Sequence, residues 1–157
     1  MLQTVKQKRD EGFTIIEVLI VLAIAGLIMV VVFLAVPALQ RNSRNNNRKA
    51  EANNLMSAIS EVTSNNGGSF AAGDLSKATG NIKPSIYPVA NISTAATPAA
   101  AVTAGGSDAQ KIERVVVIPG YKCGTTPTDT PEAQNRSTAV MYWVETGGSP
   151  TQQCVAS

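Results

Sequence analysis

The sequence of 157 residues contains no histidine, only two cysteines, and few aromatic or charged side chains. Histidine is the most frequent general base and a frequent metal ligand, so its absence removes the usual basis of a catalytic or metal centre. The sequence also has no phosphate-binding loop and no spaced cluster of metal-ligating residues. These absences argue against an enzyme, and we expect no cofactor.

The net charge is only +2, with 13 basic and 11 acidic residues. A protein that binds nucleic acid usually carries a clustered basic surface, which this balance does not supply. We therefore expect no nucleic acid among the partners. The length allows one modest domain in addition to a membrane segment.

The longest feature of the sequence is an apolar run, residues 13–39, in which Glu17 is the only charged residue. A helix formed by residues 18–39 spans the roughly 30 Å hydrocarbon core of a bilayer at about 1.5 Å per residue. Cleaved secretory signals have apolar regions of about 7 to 15 residues, much shorter than this run. The run predicts a transmembrane segment, for which an uncleaved signal anchor is the simplest interpretation.

Basic residues flank the apolar run on both sides. Lys6, Lys8 and Arg9 precede it, and under the positive-inside rule they place the N-terminus in the cytoplasm and the remainder outside. A second cluster follows the run, and it has two interpretations: a solvated surface above anionic headgroups, or contacts to acidic groups of neighbouring subunits. That cluster consists of Arg41, Arg44, Arg48 and Lys49.

The ten residues KRDEGFTIIE, residues 8–17, open the apolar run. A basic leader, a Gly-Phe pair and a glutamate four residues after the phenylalanine resemble the processing site of type IV prepilins and pseudopilins. The resemblance implies that prepilin peptidase removes residues 1–12 after Gly12 and that Phe13 becomes the N-methylated first residue. It also implies that Glu17 meets the N-terminal amine of a neighbouring subunit.

Two residues that weaken helices lie within the run, Gly26 and Pro37. Type IV pilins are similar in often having a glycine and a later proline, between which the helix is able to extend in the filament. In this sequence the proline lies about three residues later than is usual in the family. A mild kink is the alternative interpretation.

The helix is predicted to continue from the apolar half into an amphipathic half, residues 40–64. An apolar stripe with spacings of three and four residues supports this prediction: Leu55, Met56, Ile59 and Val62. We expect one helix from Thr14 to Ser64, locally frayed at Asn42 and Asn45–Asn47, because asparagine is a poor helix former. Asn65–Gly68 is expected to end it.

Residues 65–110 are predicted to connect the helix to a sheet. We expect a short helix near Asp74–Thr79 and extended backbone around Pro84 and Pro88. The segment Ile92–Gly106 carries no charge and is low in complexity, and we expect it to be an exposed loop.

Residues 111–157 are predicted to form a small antiparallel sheet from three strands: Lys111–Pro119, Ser137–Thr146 and Gln152–Ala156. The apolar stripe of the helix is expected to cover this sheet, which gives an α+β, pilin-like fold. Because Tyr142 and Trp143 point to opposite faces of one strand, we expect one of them in the core and the other exposed or against a neighbour.

Cys123 and Cys154 are the only cysteines, and both lie in the part predicted to be outside. An exported domain with two cysteines most economically pairs them. Closing that loop contributes about 3 to 4 kcal/mol in the chain-entropy model. The resemblance implies a disulfide loop on the surface of a filament.

The sequence is therefore expected to encode a structural subunit of a type IV pilus, assembled as a helical homopolymer for adhesion, twitching motility or DNA uptake. Its expected partners are membrane lipid, prepilin peptidase, an assembly platform with its ATPase, and other copies of itself. It would begin as a single-pass precursor in the cytoplasmic membrane and end in an extracellular filament. A pseudopilin of a type II secretion or competence system is the alternative. A membrane-anchored extracellular domain of another function is the third possibility.

Overall fold

The computed structural model describes residues 12–80, 82, 87–104, 107–126 and 128–157. Its contacts divide the chain into two compact units, residues 1–40 and residues 41–157. The extended backbone predicted around Pro84 lies outside the described residues. In chain order the helices and strands are α1 (Ile15–Asn65), α2 (Leu75–Gly80), β1 (Ile92–Thr94), α3 (Pro98–Ala104), α4 (Asp108–Lys111), β2 (Val115–Lys122), β3 (Glu132–Val144) and β4 (Thr151–Ala156).

Helix α1 extends over 51 residues and includes Pro37. The fraying predicted at Asn42 and Asn45–Asn47 is wrong, because the helix is continuous through these residues. The helix ends where the paired glycines predicted an end: Gly67 and Gly68 have φ angles of 73° and 89°, values that favour glycine. There the Gly68 amide donates to the Thr63 carbonyl at 2.9 Å.

Within residues 1–40, the described part of α1 is apolar on all sides. An 18-residue window has a mean hydropathy of 3.3, and none of it is buried by the protein itself. Leu27 is 68% exposed, and Leu34 is 77% exposed. Length and composition make this part of α1 a candidate membrane span.

Within residues 41–157, the four strands form one sheet in the order β1-β2-β3-β4. Strand β1 is parallel to β2, whereas β2–β3 and β3–β4 are antiparallel pairs. The sheet is therefore mixed: β2, β3 and β4 pair antiparallel, as predicted for residues 111–157, and β1 adds a parallel strand that was not predicted. The difference arises because β1 returns to β2 through α3 and α4, a crossover connection that parallel neighbours require.

The segment predicted to be an exposed loop, Ile92–Gly106, supplies both β1 and α3. Ile92 pairs with Val115 in the parallel ladder, and Ala101 on α3 is fully buried. The prediction of an exposed loop is wrong because alanine favours helix and needs little space in a packed layer. The short helix predicted near Asp74–Thr79 is confirmed as α2 and the 3₁₀ turn before it.

The sheet has a core on each face. On one face, buried residues of α1 pack with alternate residues of β2 and β3, a cluster that includes Leu55, Ile59, Val115, Val140 and Tyr142. On the other face, Trp143 clusters with Ala101, Val116, Met141 and Cys154. The two aromatic side chains do point to opposite faces. However, both are buried, so the expectation that one of them is exposed is wrong.

Candidate assembly site

The first site lies at the start of α1, where Thr14 and Glu17 form a reciprocal set of hydrogen bonds. Glu17 Oε2 accepts hydrogen bonds from the Thr14 amide at 2.9 Å and from the Thr14 hydroxyl at 2.7 Å. In return, the Glu17 amide donates to Thr14 Oγ1 at 3.3 Å. This pattern is a capping box, in which Thr14 is the N-cap and Glu17 the third helical residue.

The capping box gives Glu17 a role within its own helix that the sequence reasoning missed. The signal was present in the sequence as threonine and glutamate three residues apart before an apolar run. Both hydrogen bonds end on Oε2, so Oε1 has no hydrogen-bond partner among the residues described. A negative charge in the first turn is also favoured by the helix dipole. Glu17 is therefore a fixed carboxylate with one oxygen available.

Gly12 and Phe13 precede this cap. Phe13 is 89% exposed. A Cβ added at Gly12 would meet no atom within 4 Å, and the same is true at Gly26. Packing within the described chain therefore gives no reason for a glycine at either position.

The second site lies within residues 41–157, where α1 holds the end of β3. Arg44 Nη2 lies 2.6 Å from Glu145 Oε2, and Arg48 Nη2 lies 2.7 Å from Glu145 Oε1. Asn45 adds two hydrogen bonds to the backbone of Glu145, with its Nδ2 donating to the carbonyl at 2.7 Å and its Oδ1 accepting from the amide at 2.8 Å. Glu145, the residue directly after β3, is thus held by three side chains of α1.

The ion pairs correct the expectation for two residues of the basic cluster, Arg44 and Arg48. Arg48 is buried and also donates to the Ile112 carbonyl at 3.1 Å, so it contacts neither headgroups nor a neighbouring subunit. Arg44 and Arg48 are instead partners of Glu145 in the same chain. Hydrogen bonds from Arg44, and then from Arg48, lower the pKa of Glu145 to about 2. The carboxylate therefore stays charged at any physiological pH.

The third site is the C-terminal loop closed by a disulfide between Cys123 and Cys154, whose Cα atoms lie 5.7 Å apart. The bond joins the residue after β2 to β4, as the sequence favoured. Beside it, Asp129 accepts hydrogen bonds from the amide and hydroxyl of Thr126 at 2.7 and 2.8 Å. A Cβ at Gly124 would collide with the side chain of Asp129. The loop therefore requires glycine at this position.

The chemistry available at these sites is charge pairing, hydrogen bonding and apolar contact. In the part of the chain that the structure describes, no group of three His, Cys, Asp or Glu side chains could hold a metal ion. The one buried polar side-chain atom without a partner there is the hydroxyl of Tyr87. Burial raises the pKa of Tyr87, so this phenol stays neutral.

Residues 41–157, called here the head, form an α+β unit, and residues 15–40 form an apolar helix with an acidic residue in its first turn. Residues 7–33 match the prokaryotic N-terminal methylation motif, the leader signature of type IV pilins and prepilins. No curated protein and no solved structure matches the chain. The motif indicates a type IV pilin-like or pseudopilin precursor, which is a structural class of protein. Together with the apolar helix, it fits a membrane-anchored precursor.

Proposed function

We propose that the chain is the precursor of a structural subunit of a type IV pilus. Prepilin peptidase removes residues 1–12, Phe13 is N-methylated, and the mature chain assembles into a helical surface filament. The observation that supports this most strongly is the methylation motif at residues 7–33, which opens an apolar helix that the protein itself does not bury. In type IV pilins such a helix anchors the subunit first and joins subunits later.

In this proposal, the exposed apolar half of α1 lies in two different environments, one before assembly and one after it. Before assembly, residues 13–39 lie in lipid, where a helix satisfies its own backbone hydrogen bonds. In the filament, the same side chains are buried against other copies, and burial contributes roughly 25 cal/mol per Å² of apolar surface. Each copy then contacts the next through two different surface patches. When the rotation between successive copies does not close into a ring, such contacts generate an open fibre.

The proposal assigns Glu17 to the alignment of subunits. Cleavage after Gly12 gives Phe13 a free amine, and Glu17 Oε1 is an available acceptor four residues further on. Pairing the amine of one subunit with Glu17 of another neutralises both charges inside the apolar bundle. A subunit at the wrong height leaves a buried charge unpaired, which costs several kcal/mol.

The proposal also names the location and the partners. The precursor is inserted in the cytoplasmic membrane with its N-terminus inside, and the filament is outside the cell. A membrane platform and an ATPase, both separate proteins, drive assembly. Adhesion, twitching motility and DNA uptake are the activities for which such a filament would serve.

The substitution Glu17→Val tests the proposal, with Glu132→Val as a matched control, because Glu132 is an exposed glutamate of the head with a side-chain exposure of 64%. We expect N-methylated Phe13 in both variants, since the protease acts before assembly. Electron microscopy of sheared material should show filaments from the wild type and from Glu132→Val, and none from Glu17→Val. Normal filaments from Glu17→Val would contradict the assignment.

A pseudopilin of a type II secretion or competence system is the second candidate, because the same N-terminal motif occurs in pseudopilins. The disulfide-closed C-terminal loop favours the pilin. The two candidates differ in the length of the assembled fibre. Long surface fibres in micrographs of intact cells support the pilin, whereas a short fibre confined to the cell envelope supports the pseudopilin.

A further inference from the structure

A surface cavity of about 300 Å³ lies in the head, at the loop that follows β3. Its walls include Arg41 from α1, Asp108 from α4 and the loop residues Glu145, Gly147 and Gly148. The proposed cleavage and the proposed pairing of subunits use none of these residues. The cavity is therefore a feature of the head without an assigned function.

Arg41 brings a cation without a partner to this cavity. It is partly buried, and among the described residues it makes no ion pair and no hydrogen bond. A Cβ on Gly147 would lie 3.2 Å from Arg41 Nη1, and Gly147 has a φ of 126°, so both the available space and the backbone favour glycine there. Because partial burial removes water from a charge without supplying a counter-ion, this guanidinium is available to an anion.

The carboxylates that line the cavity already have cationic partners. The two oxygens of Glu145 are held by Arg44 and Arg48, at 2.6 and 2.7 Å. Asp108 pairs with Lys111, with 3.0 Å between Oδ1 and Nζ. Together with the unpaired guanidinium, four cations face two carboxylates in and around the cavity. The excess of positive charge favours a negatively charged ligand.

Backbone amides add unused donors beside the guanidinium. Among the described residues, the amides of Gly147 and Gly148 donate to no acceptor. The guanidinium of Arg41 supplies a planar fork of N–H donors, which matches the oxygens of a phosphate or a carboxylate. The donors of the cavity therefore fit an oxyanion.

The position of Arg41 in the sequence favours a lipid phosphate as that oxyanion. Arg41 is the second residue after Leu39, where the apolar run ends, and two residues span at most about 7 Å. The headgroup layer extends roughly 5 to 7 Å beyond the hydrocarbon core on each side. When residues 18–39 cross the core, Arg41 therefore lies within reach of the headgroup phosphates.

We propose that this cavity binds the phosphate of an anionic membrane lipid, of which phosphatidylglycerol is a simple example. The guanidinium of Arg41 and the amides of Gly147 and Gly148 donate to the phosphate oxygens, and the positive excess selects a lipid with a net negative charge. The inference goes beyond the proposed function and rests on one part of it, a precursor whose residues 13–39 lie in lipid.

Lipid binding to the full chain in nonionic detergent tests the proposal, and native mass spectrometry counts and identifies the bound lipid. The wild type should bind phosphatidylglycerol more tightly than zwitterionic phosphatidylcholine. Arg41→Gln should lower the affinity for phosphatidylglycerol about tenfold, the scale of one charge-assisted hydrogen bond. The matched control Lys49→Gln removes an exposed cation of α1 that does not line the cavity, and it should keep the wild-type affinity. Equal affinities of the two variants would overturn the proposal.

Thermal unfolding separates lipid binding from a structural role of Arg41. In detergent without anionic lipid, Arg41→Gln should unfold at the wild-type temperature, because Arg41 has no partner among the described residues. Phosphatidylglycerol should raise the thermal midpoint of the wild type and of Lys49→Gln, but not that of Arg41→Gln. The fluorescence of the buried Trp143 reports the midpoint. A midpoint that phosphatidylglycerol raises equally in all three proteins would contradict the site.

Hydrogen exchange in nanodiscs locates the bound phosphate. In phosphatidylglycerol nanodiscs, the amides of Gly147 and Gly148 should exchange several-fold more slowly than in phosphatidylcholine nanodiscs. The amide of the exposed Gly67 also lacks an acceptor among the described residues, so it serves as a control and should be unchanged. Unprotected amides at Gly147 and Gly148, or equal protection at Gly67, would overturn the proposal.

Inorganic phosphate distinguishes the two sources of a phosphate group. Added to phosphatidylcholine nanodiscs, it should leave the amides of Gly147 and Gly148 exchanging at their unliganded rates. Protection as strong as that from phosphatidylglycerol would refute a lipid as the ligand. A wild-type chain that does not stay in nanodiscs would contradict the membrane segment, and with it the proposed function. A wild-type chain that stays in nanodiscs without preference for phosphatidylglycerol would overturn this inference alone.

Discussion

The two units of the chain differ in the burial of their apolar side chains. In the head, residues 41–157, Ile59 is fully buried and both faces of the sheet are covered. In residues 15–39, the side chains of the same kind are exposed, and Ile24 for example is 54% exposed. The head is stabilised by its own contacts, whereas the described residues leave the apolar half of α1 uncovered, and a large exposed apolar surface of this kind marks a membrane or protein contact.

The comparison is tested most strongly by the same substitution in each unit. Ile59→Ala removes fully buried methyl groups and should lower the free energy of unfolding of the head by about 4 kcal/mol. Ile24→Ala should leave that free energy unchanged. Trp143 is the only tryptophan and is buried in the head, so its fluorescence in denaturant reports the transition of the full chain in detergent. Equal losses from the two variants would contradict the comparison.

The disulfide is a constraint on the head alone. Replacing both Cys123 and Cys154 with serine opens a loop with a sequence separation of 31 and should lower the free energy of unfolding by about 3 to 4 kcal/mol. Processing at Phe13 should be unaffected. Denaturant titration and the mass of the mature N-terminus check the two expectations, and a loss of processing would contradict the independence of the two units.

Glu145→Gln should destabilise the head by about 2 kcal/mol, because Arg48 then keeps a buried charge without its anionic partner. The folded pKa of about 2 lies below the ordinary value of 4.5, so this stabilisation is complete above about pH 4.5. It is lost as the pH falls through 2. The difference between wild type and variant should therefore shrink from pH 5 to pH 2, and a difference independent of pH would contradict the ion pair.

The smallest effect is expected at the start of the apolar half. Thr14→Val removes the hydroxyl of the capping box and should weaken the first turn of α1 by about 1 kcal/mol, while Thr14→Ser should retain it. Hydrogen exchange of the first-turn amides in detergent measures this change. The stability of the head should be identical in both variants. Equal exchange rates in Thr14→Val and wild type would contradict the cap.

The sequence predicted best those helices and strands that have a clear hydrophobic period or a composition that differs sharply from their surroundings. The apolar run and the stripe around Ile59 predicted α1 to within one residue at each end. The β-branched runs predicted strands that overlap β2, β3 and β4. The proposed cleavage before Phe13 and the proposed role of Glu17 come from the resemblance of residues 8–17 to a prepilin processing site, and the motif match at residues 7–33 supports that resemblance.

The sequence did not predict the features that depend on contacts between residues far apart in the chain. Strand β1 is only three residues long, and its identity as a strand depends on its ladder with Val115–Val117. Residues 98–104 form a helix against the second face of the sheet, and their low complexity concealed this packing. The partner of Arg44 and Arg48 lies about 100 residues away, so only the fold identifies it.

The central claim is that the chain is cut after Gly12 before it is assembled. Mass spectrometry of the protein sheared from cells tests this claim most directly, since the first peptide reveals both the cut and the methyl group. The account predicts a chain that begins with N-methylated Phe13. A chain that still begins at Met1 would contradict processing, and with it the proposed pairing of Glu17 with the N-terminal amine of a neighbour.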